Sequence, residues 1–198
     1  MKKIILASKS PRRKELLEKA QINFEIVQSN YKEEKSEKFD IEFIKKVSYC
    51  KAQDVAQSID FDAVVISADT MVILDSVCLV KPRNYNEAFY CLKKLSDRWH
   101  SVITAISMID TKTNKTLTKT VESRVKFRNL KDEEIKNYLE IKKPFDKAGS
   151  YGIQDFIRED EANNPPKESF IEKIEGSYQN IMGIDVKTVL EMLSEINA

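Results

Sequence analysis

With 198 residues, the chain is long enough to bury a substantial core, as one domain or two small lobes. Its mix of 41% hydrophobic and 33% charged residues excludes a disordered chain. Lys and Arg number 33 against 32 Asp and Glu. The net charge of +1 therefore excludes bulk attraction to nucleic acid or to an anionic membrane, and any anion must be met by a local cluster.

The first predicted element is a short buried strand over residues 4–6. Ser8 to Pro11 break it, and a helix follows over residues 14–20 with Leu16 and Leu17 facing inward. Pro11 suits its first position and Ser10 its N-cap. Arg12 and Arg13 then fall in a first turn that already carries partial positive charge and unpaired N–H groups. Either an anion sits on that spot, or the two arginines point away into solvent. Residues 23–27 alternate as a second strand, and the polar stretch 29–38, with Glu33 and Glu34, reads as a solvated loop.

A helix is expected over residues 39–58. Stepping by four from Val47 reaches Lys51 and then Val55, so Lys51 lies on the line of the inward face. It either snorkels at the edge of that stripe or projects into a cleft that holds an anion. Residues 62–74, DAVVISADTMVIL, carry the strongest strand signal, suited to burial on both faces. Asp69 follows the apolar run directly. A carboxylate at the end of a buried strand must be paired, hydrogen-bonded or metal-bound, so it reads as functional rather than capping.

A turn at Asp75 and Ser76 leads back through residues 77–80 to Lys81 and Pro82. Asn86 is expected to cap a helix over residues 87–95. Two long strands, 101–109 and 116–127, flank a polar turn. A helix over 132–141 carries acidic residues in its first turn. The stretch PFDKAGSYGIQ holds Gly149 and Gly152, two of only four glycines, either as ordinary turn residues or where the backbone approaches something closely. An exposed insertion (158–168), a strand (169–174), a second glycine loop (176–183) and a closing helix (186–196) complete the chain.

Three cysteines, Cys50, Cys78 and Cys91, form no CxxC pair and suggest neither a disulfide framework nor a zinc site; they fit a reducing, cytoplasmic setting. Cys50 and Cys91 read as small buried apolar residues within helices. No run approaches a membrane span, and the apolar part of MKKIILASKSPRR is too short for a signal peptide. His100, the only histidine, excludes a multi-histidine metal site and reads as structural.

Taken together, the conspicuous residues are basic (Arg12, Arg13, Lys51, Lys81, Lys147) and acidic (Glu33, Asp69). Many cations with few carboxylates suit a polyphosphate bound through a divalent metal. The carboxylates would hold a hard ion such as Mg²⁺, and the cations would neutralise the remaining phosphate oxygens. No P-loop, kinase loop set or GxGxxG is present.

The blocks LASKSPRRKELL, Glu33, YCKA, SADTMVILD, Lys81-Pro82, LSDRWHSVITAI, DKAGSYGIQ and IEGSYQNIMGID occur in this order from residue 4 to residue 185. In that order they resemble the Maf family of nucleoside triphosphate pyrophosphatases, once described as septum-formation inhibitors. The resemblance implies a single Maf-like domain over residues 1–198 with two lobes around a cleft. The implied fold is α/β and inosine-triphosphatase-like, with an elongated, twisted mixed β-sheet flanked by helices. It implies hydrolysis of a nucleoside triphosphate to the monophosphate and pyrophosphate with Mg²⁺ or Mn²⁺, as house-cleaning of nucleotide pools, and it suggests a homodimer.

By the same resemblance Ser8, Arg12, Arg13, Glu33, Lys51, Asp69, Lys81 and Gln154 fall on functional positions. Glu33 and Asp69 hold the metal and serve catalysis with Lys51 and Lys81. Ser8, Arg12, Arg13, Lys51, Lys81 and Gln154 bind substrate. The YGIQ form of the late block resembles the branch acting on dTTP and UTP, and the Gln154 amide offers a donor and an acceptor for a base edge. The chain departs from the family pattern at Asp97 and Asp155, where Gly is usual, at Trp99, where a small residue is usual, at Asp185, where Pro is common, and in the 158–168 insertion. The alternative activity is a nucleotide-binding regulator of cell division that does not hydrolyse its ligand. A nucleic-acid-binding module is disfavoured by the charge balance and the lack of an aromatic-basic face.

Overall fold

The computed structural model describes residues 2–32 and 38–197. Glu33, expected to bind metal, lies outside the described residues. The strands are β1 (Lys3–Leu6), β2 (Glu25–Ile26), β3 (Ala63–Leu74), β4 (Val77–Cys78), β5 (Trp99–Asp110), β6 (Thr116–Phe127) and β7 (Ile171–Glu175). The helices are α1 (Pro11–Lys19), α2 (Ile41–Ala56), α3 (Tyr85–Leu95), α4 (Asp132–Lys142), α5 (Tyr178–Met182) and α6 (Val186–Asn197). The strands join one sheet in the order β2-β1-β3-β5-β6-β7, with β4 paired to β3. β1 runs parallel to β2 and β3, and the other pairings are antiparallel. The expected mixed α/β sheet with flanking helices is therefore present.

Period-two alternation in β3 divides the core. Val64, Ile66 and Ala68 face the larger cluster, built with Leu16 and Leu17 of α1, Leu92 of α3, Leu139 of α4 and Met192 of α6. Val65 and Ile73 face the side that α2 covers with Ile44, Ala52 and Val55. Among the described residues no helix is long and apolar enough to cross a membrane.

Several local expectations change. β3 reaches Leu74 as expected, but Asp69 is not at its end: it pairs with Ala105 inside a continuous ladder to β5. On its other side β3 loses its parallel partner after Ile66, where β1 ends, and gains an antiparallel one only at Ile73, which pairs with Cys78 of β4. Asp69 thus sits mid-strand, in a gap along one edge. The cap of α3 is Asn84 rather than Asn86, because its side chain accepts from Glu87 N at 2.9 Å. Ser10 occupies the cap position of α1 without making a capping bond. The glycine loop at 176–183 contains α5, capped by Ser177. Cys50 and Cys91 are half-buried, whereas Cys78 is buried. Burial pushes the Cys91 thiol up, against weaker opposing effects of Ser150 and Lys94, which keeps it an inert thiol.

Three departures from the family pattern have physical accounts. Asp97 adopts φ +57°, a left-handed conformation that suits glycine, and its carboxylate accepts from Lys126 Nζ at 2.7 Å. Trp99 carries the Arg124 guanidinium over its ring at 4.8 Å. Asp185 caps α6, accepting from Thr188 N at 2.9 Å and Thr188 Oγ1 at 2.8 Å. Burial pushes its pKa up, but hydrogen bonds from Ser177 and Thr188 outweigh that and leave the carboxyl below its usual range.

Candidate active site

The gap along β3 opens into a cavity of about 610 Å³. Its lining includes Ser8, Arg12, Arg13, Lys51, Asp69, Lys81 and Gln154, which are all the described residues expected at the site. Alternation explains how one strand serves two walls. Asp69 turns toward α2, where Lys51 Nζ lies 2.7 Å from its Oδ1. The pair is only 11% and 15% exposed, so Lys51 projects into the cleft rather than snorkelling to solvent.

Thr70 turns the other way, toward Arg13. That guanidinium donates through Nε to Gly183 O at 2.9 Å, through Nη1 to Ser8 Oγ at 3.2 Å and through Nη2 to Thr70 Oγ1 at 3.2 Å. Arg13 thereby ties the turn after β1, the middle of β3 and the loop after α5. Ser8 Oγ also accepts from Ser10 N at 3.2 Å, which closes the turn that presents Arg12. Behind Thr70, its hydroxyl meets Thr104 Oγ1 at 3.0 Å, and Thr104 donates to Asn180 O at 3.2 Å. A file of buried hydroxyls thus braces the arginine through the sheet.

Arg12 Nη1 lies 3.6 Å from Asp146 Oδ2, and Lys147 Nζ lies 2.8 Å from Asp146 Oδ1. Burial raises the Asp146 carboxyl, but Lys147 and Arg12 outweigh it and hold the group below its usual range. Lys81 is exposed at the mouth of the cavity. Asp146 and Thr70 were not singled out in the sequence. Thr70 was legible only as the residue after Asp69, and Asp146 only as the residue before Lys147.

The far wall carries Tyr151, Gly152 and Gln154. The Gln154 amide lies flat over Gly152, where an added Cβ would meet its Nε2 at 2.7 Å and its Oε1 at 3.0 Å. At Gly152 it is a side chain, not a special φ, that fills the space a Cβ would take. Gln154 Oε1 is buried and, among the described residues, has no hydrogen-bond partner. Gly149 does need its backbone freedom, with φ +70° and Val72 Cγ1 2.9 Å from the site of a Cβ. His100 is 3% exposed, with Tyr151 Oη 2.7 Å from its Nε2 and the Phe127 ring packed edge-on. Burial drives its pKa down to about 3, so the ring is neutral, and it braces the wall from behind. The structural reading of His100 agrees with this placement.

A mixed α/β sheet whose central strand opens a cation-lined cavity around Asp69 defines a polyanion-binding α/β protein. The chain belongs to the Maf family: the family profile, described as Maf-like protein, matches residues 3–196. It is 44% identical over 191 residues to a dTTP/UTP pyrophosphatase of Thermosipho africanus, covering 96% of this chain and 92% of that one. It is 41% identical over 187 residues to a dTTP/UTP pyrophosphatase of Alkaliphilus oremlandii, covering 94% and 92%. Among solved structures, a HAM1 protein from Coxiella burnetii aligns with TM-score 0.44 and 15% identity over 64% of this chain and 73% of that chain, too loose a likeness to carry an argument.

Proposed function

We propose that the chain hydrolyses dTTP and UTP between the α- and β-phosphates, releasing the nucleoside monophosphate and pyrophosphate. The observation that carries this reading is the gathering of Arg12, Arg13, Lys51, Lys81 and Lys147 around one cavity whose central carboxylate is Asp69. The volume, about 610 Å³, suits a nucleotide-sized ligand. Relatives of about 40% identity over nearly the whole chain carry that activity in their names.

A divalent cation, Mg²⁺ or Mn²⁺, belongs to this proposal. Among the described residues no group of three His, Cys, Asp or Glu side chains is gathered as a cage. Mg²⁺ does not need one, because it is commonly held by one or two carboxylates plus substrate phosphates. Asp69 fits that use: Oδ1 accepts from Lys51, and among the described residues no hydrogen bond engages Oδ2. Glu33 is the proposed second ligand. When bound, such an ion neutralises phosphate oxygens and acidifies water.

The chain's own residues would do the rest. Arg12, Lys81 and Lys147 draw in the triphosphate and offset the charge that grows on the departing pyrophosphate. Ser8 and Arg13 hold the turn that aims Arg12. Lys51 holds Asp69 in place through the 2.7 Å contact. Asp69 takes a proton from the water that attacks the α-phosphorus, and the bond from that phosphorus to the bridging oxygen breaks. Burial of Gln154 Oε1 leaves Nε2, a donor, as the accessible amide atom, which suits the carbonyl edges of thymine and uracil and rejects the amino group of cytosine.

The test is product analysis of the purified protein with dTTP, UTP and CTP. Pyrophosphate should be the first phosphorus product, with UTP favoured over CTP. Orthophosphate as first product would overturn the reaction. Nucleotide binding without turnover would favour the regulator instead.

A further inference from the structure

We propose that Asp155 and Tyr138 form a latch that fixes the aim of Gln154, making Asp155 a positioning residue for base selection. The inference rests on the reading of Gln154 given above. Ile153–Asp155 is a single 3-10 turn, so Gln154 has Gly152 two residues before it and Asp155 directly after it. Both neighbours are tied to one hydroxyl. Gly152 N donates to Tyr138 Oη at 3.3 Å, and Tyr138 Oη donates to Asp155 Oδ2 at 2.8 Å.

That hydroxyl is itself fixed. Tyr138 stands on α4, with its ring against Phe156 at 4.8 Å and Phe170 at 5.5 Å between centroids. Burial, and then the charge of Asp155, push the phenol up, so the proton stays on Oη. The Asp155 carboxylate is 15% exposed, with Lys142 Nζ 4.0 Å from Oδ1.

Among the described residues nothing comparable holds the amide of Gln154: its Oε1 has no hydrogen-bond partner, and its orientation depends on lying flat over Gly152. Asp155 Oδ2 crowds the same α-carbon, 3.1 Å from the site of an added Cβ. The turn geometry that Tyr138 and Asp155 impose is therefore what points the amide. Releasing the latch frees the turn without removing any group that touches the phosphates.

The experiment is steady-state kinetics with UTP and CTP on the full chain. Asp155→Ala should reduce the kcat/KM preference for UTP about tenfold, the worth of one well-aimed hydrogen bond. The change should fall on KM for UTP, with kcat within about twofold. Tyr138→Phe should reproduce it, and Asp155→Asn, which keeps an acceptor for Tyr138, should restore the preference. In a Gln154→Ala background, Asp155→Ala should add nothing. Failure of Asp155→Asn to restore the preference, or an additive effect in that background, would overturn the latch. If Gln154→Ala moves the preference while Asp155→Ala and Tyr138→Phe do not, the latch alone fails. If Gln154→Ala leaves the preference unchanged, the base-reading role fails and takes the latch with it. If Asp155→Ala does not fold, Tyr138→Phe and Asp155→Asn still decide the matter.

Discussion

Replacing Asp69 with Asn separates the two roles proposed for this side chain, pairing with Lys51 and accepting a proton. The amide oxygen can still accept from Lys51 Nζ across the 2.7 Å contact, so the packing between β3 and α2 survives. What is lost is the charge. A hydrogen bond to an ionised partner contributes about 1.5–3 kcal/mol and a neutral one about 0.5–1.5. With both side chains largely buried, the difference of about 1–1.5 kcal/mol applies with little screening. A chain of this size loses about 2–4 °C in Tm per kcal/mol, so the variant should melt about 2–6 °C lower. Removing a general base costs about 10²–10⁴-fold in rate, and weakened metal binding adds to that. Pyrophosphate release under saturating dTTP, followed beside a thermal melt, reads both quantities. Asp69→Asn should fall at least about a hundredfold in kcat while remaining folded. A variant retaining more than about a tenth of the activity would remove Asp69 from the chemistry. Lys51→Met should be more damaging to stability, since it leaves a buried carboxylate without this partner, about 3–5 kcal/mol where such pairs are broken.

Other consequences follow from single features. His100 is held to a pKa of about 3 against 6.5 in the unfolded chain, so below pH 6.5 the unfolded state binds a proton that the native state refuses. Stability should therefore fall on acidification from about pH 6.5 to 5, a window above those of the lowered carboxyls, by up to about 1.4 kcal/mol per pH unit. Denaturant melts of His100→Gln should show a flatter slope there, and an unchanged slope would refute the assignment. Asp97→Ala should cost about 1–2 kcal/mol in the same melts, because alanine tolerates a φ of +57° poorly and gives up the Lys126 contact. Asp97→Gly should come out equal to or more stable than the parent. Gly149→Ala should lower Tm by several degrees, from strain at φ +70° and the approach to Val72.

Local residue patterns set the period and place of most elements. The apolar run before Asp69, the Pro11 start of α1 and the inward line of Lys51 all depend on near neighbours and local backbone preference, which a linear reading can follow. The family resemblance added Gln154, which no local pattern marked. Where Asp69 sits was a different matter. Its place mid-strand follows from where β1 ends and β4 begins, and that gap exists only once the sheet order is set. Likewise Arg13 reads in the chain as a cation facing either an anion or solvent, yet it meets Gly183, 170 residues away, and Thr70. His100 becomes a neutral brace only because β5 brings it beneath Tyr151. Near neighbours decide whether a segment coils or extends. Strand order decides which distant groups share a cavity, and no periodicity encodes the free energy of those long-range contacts.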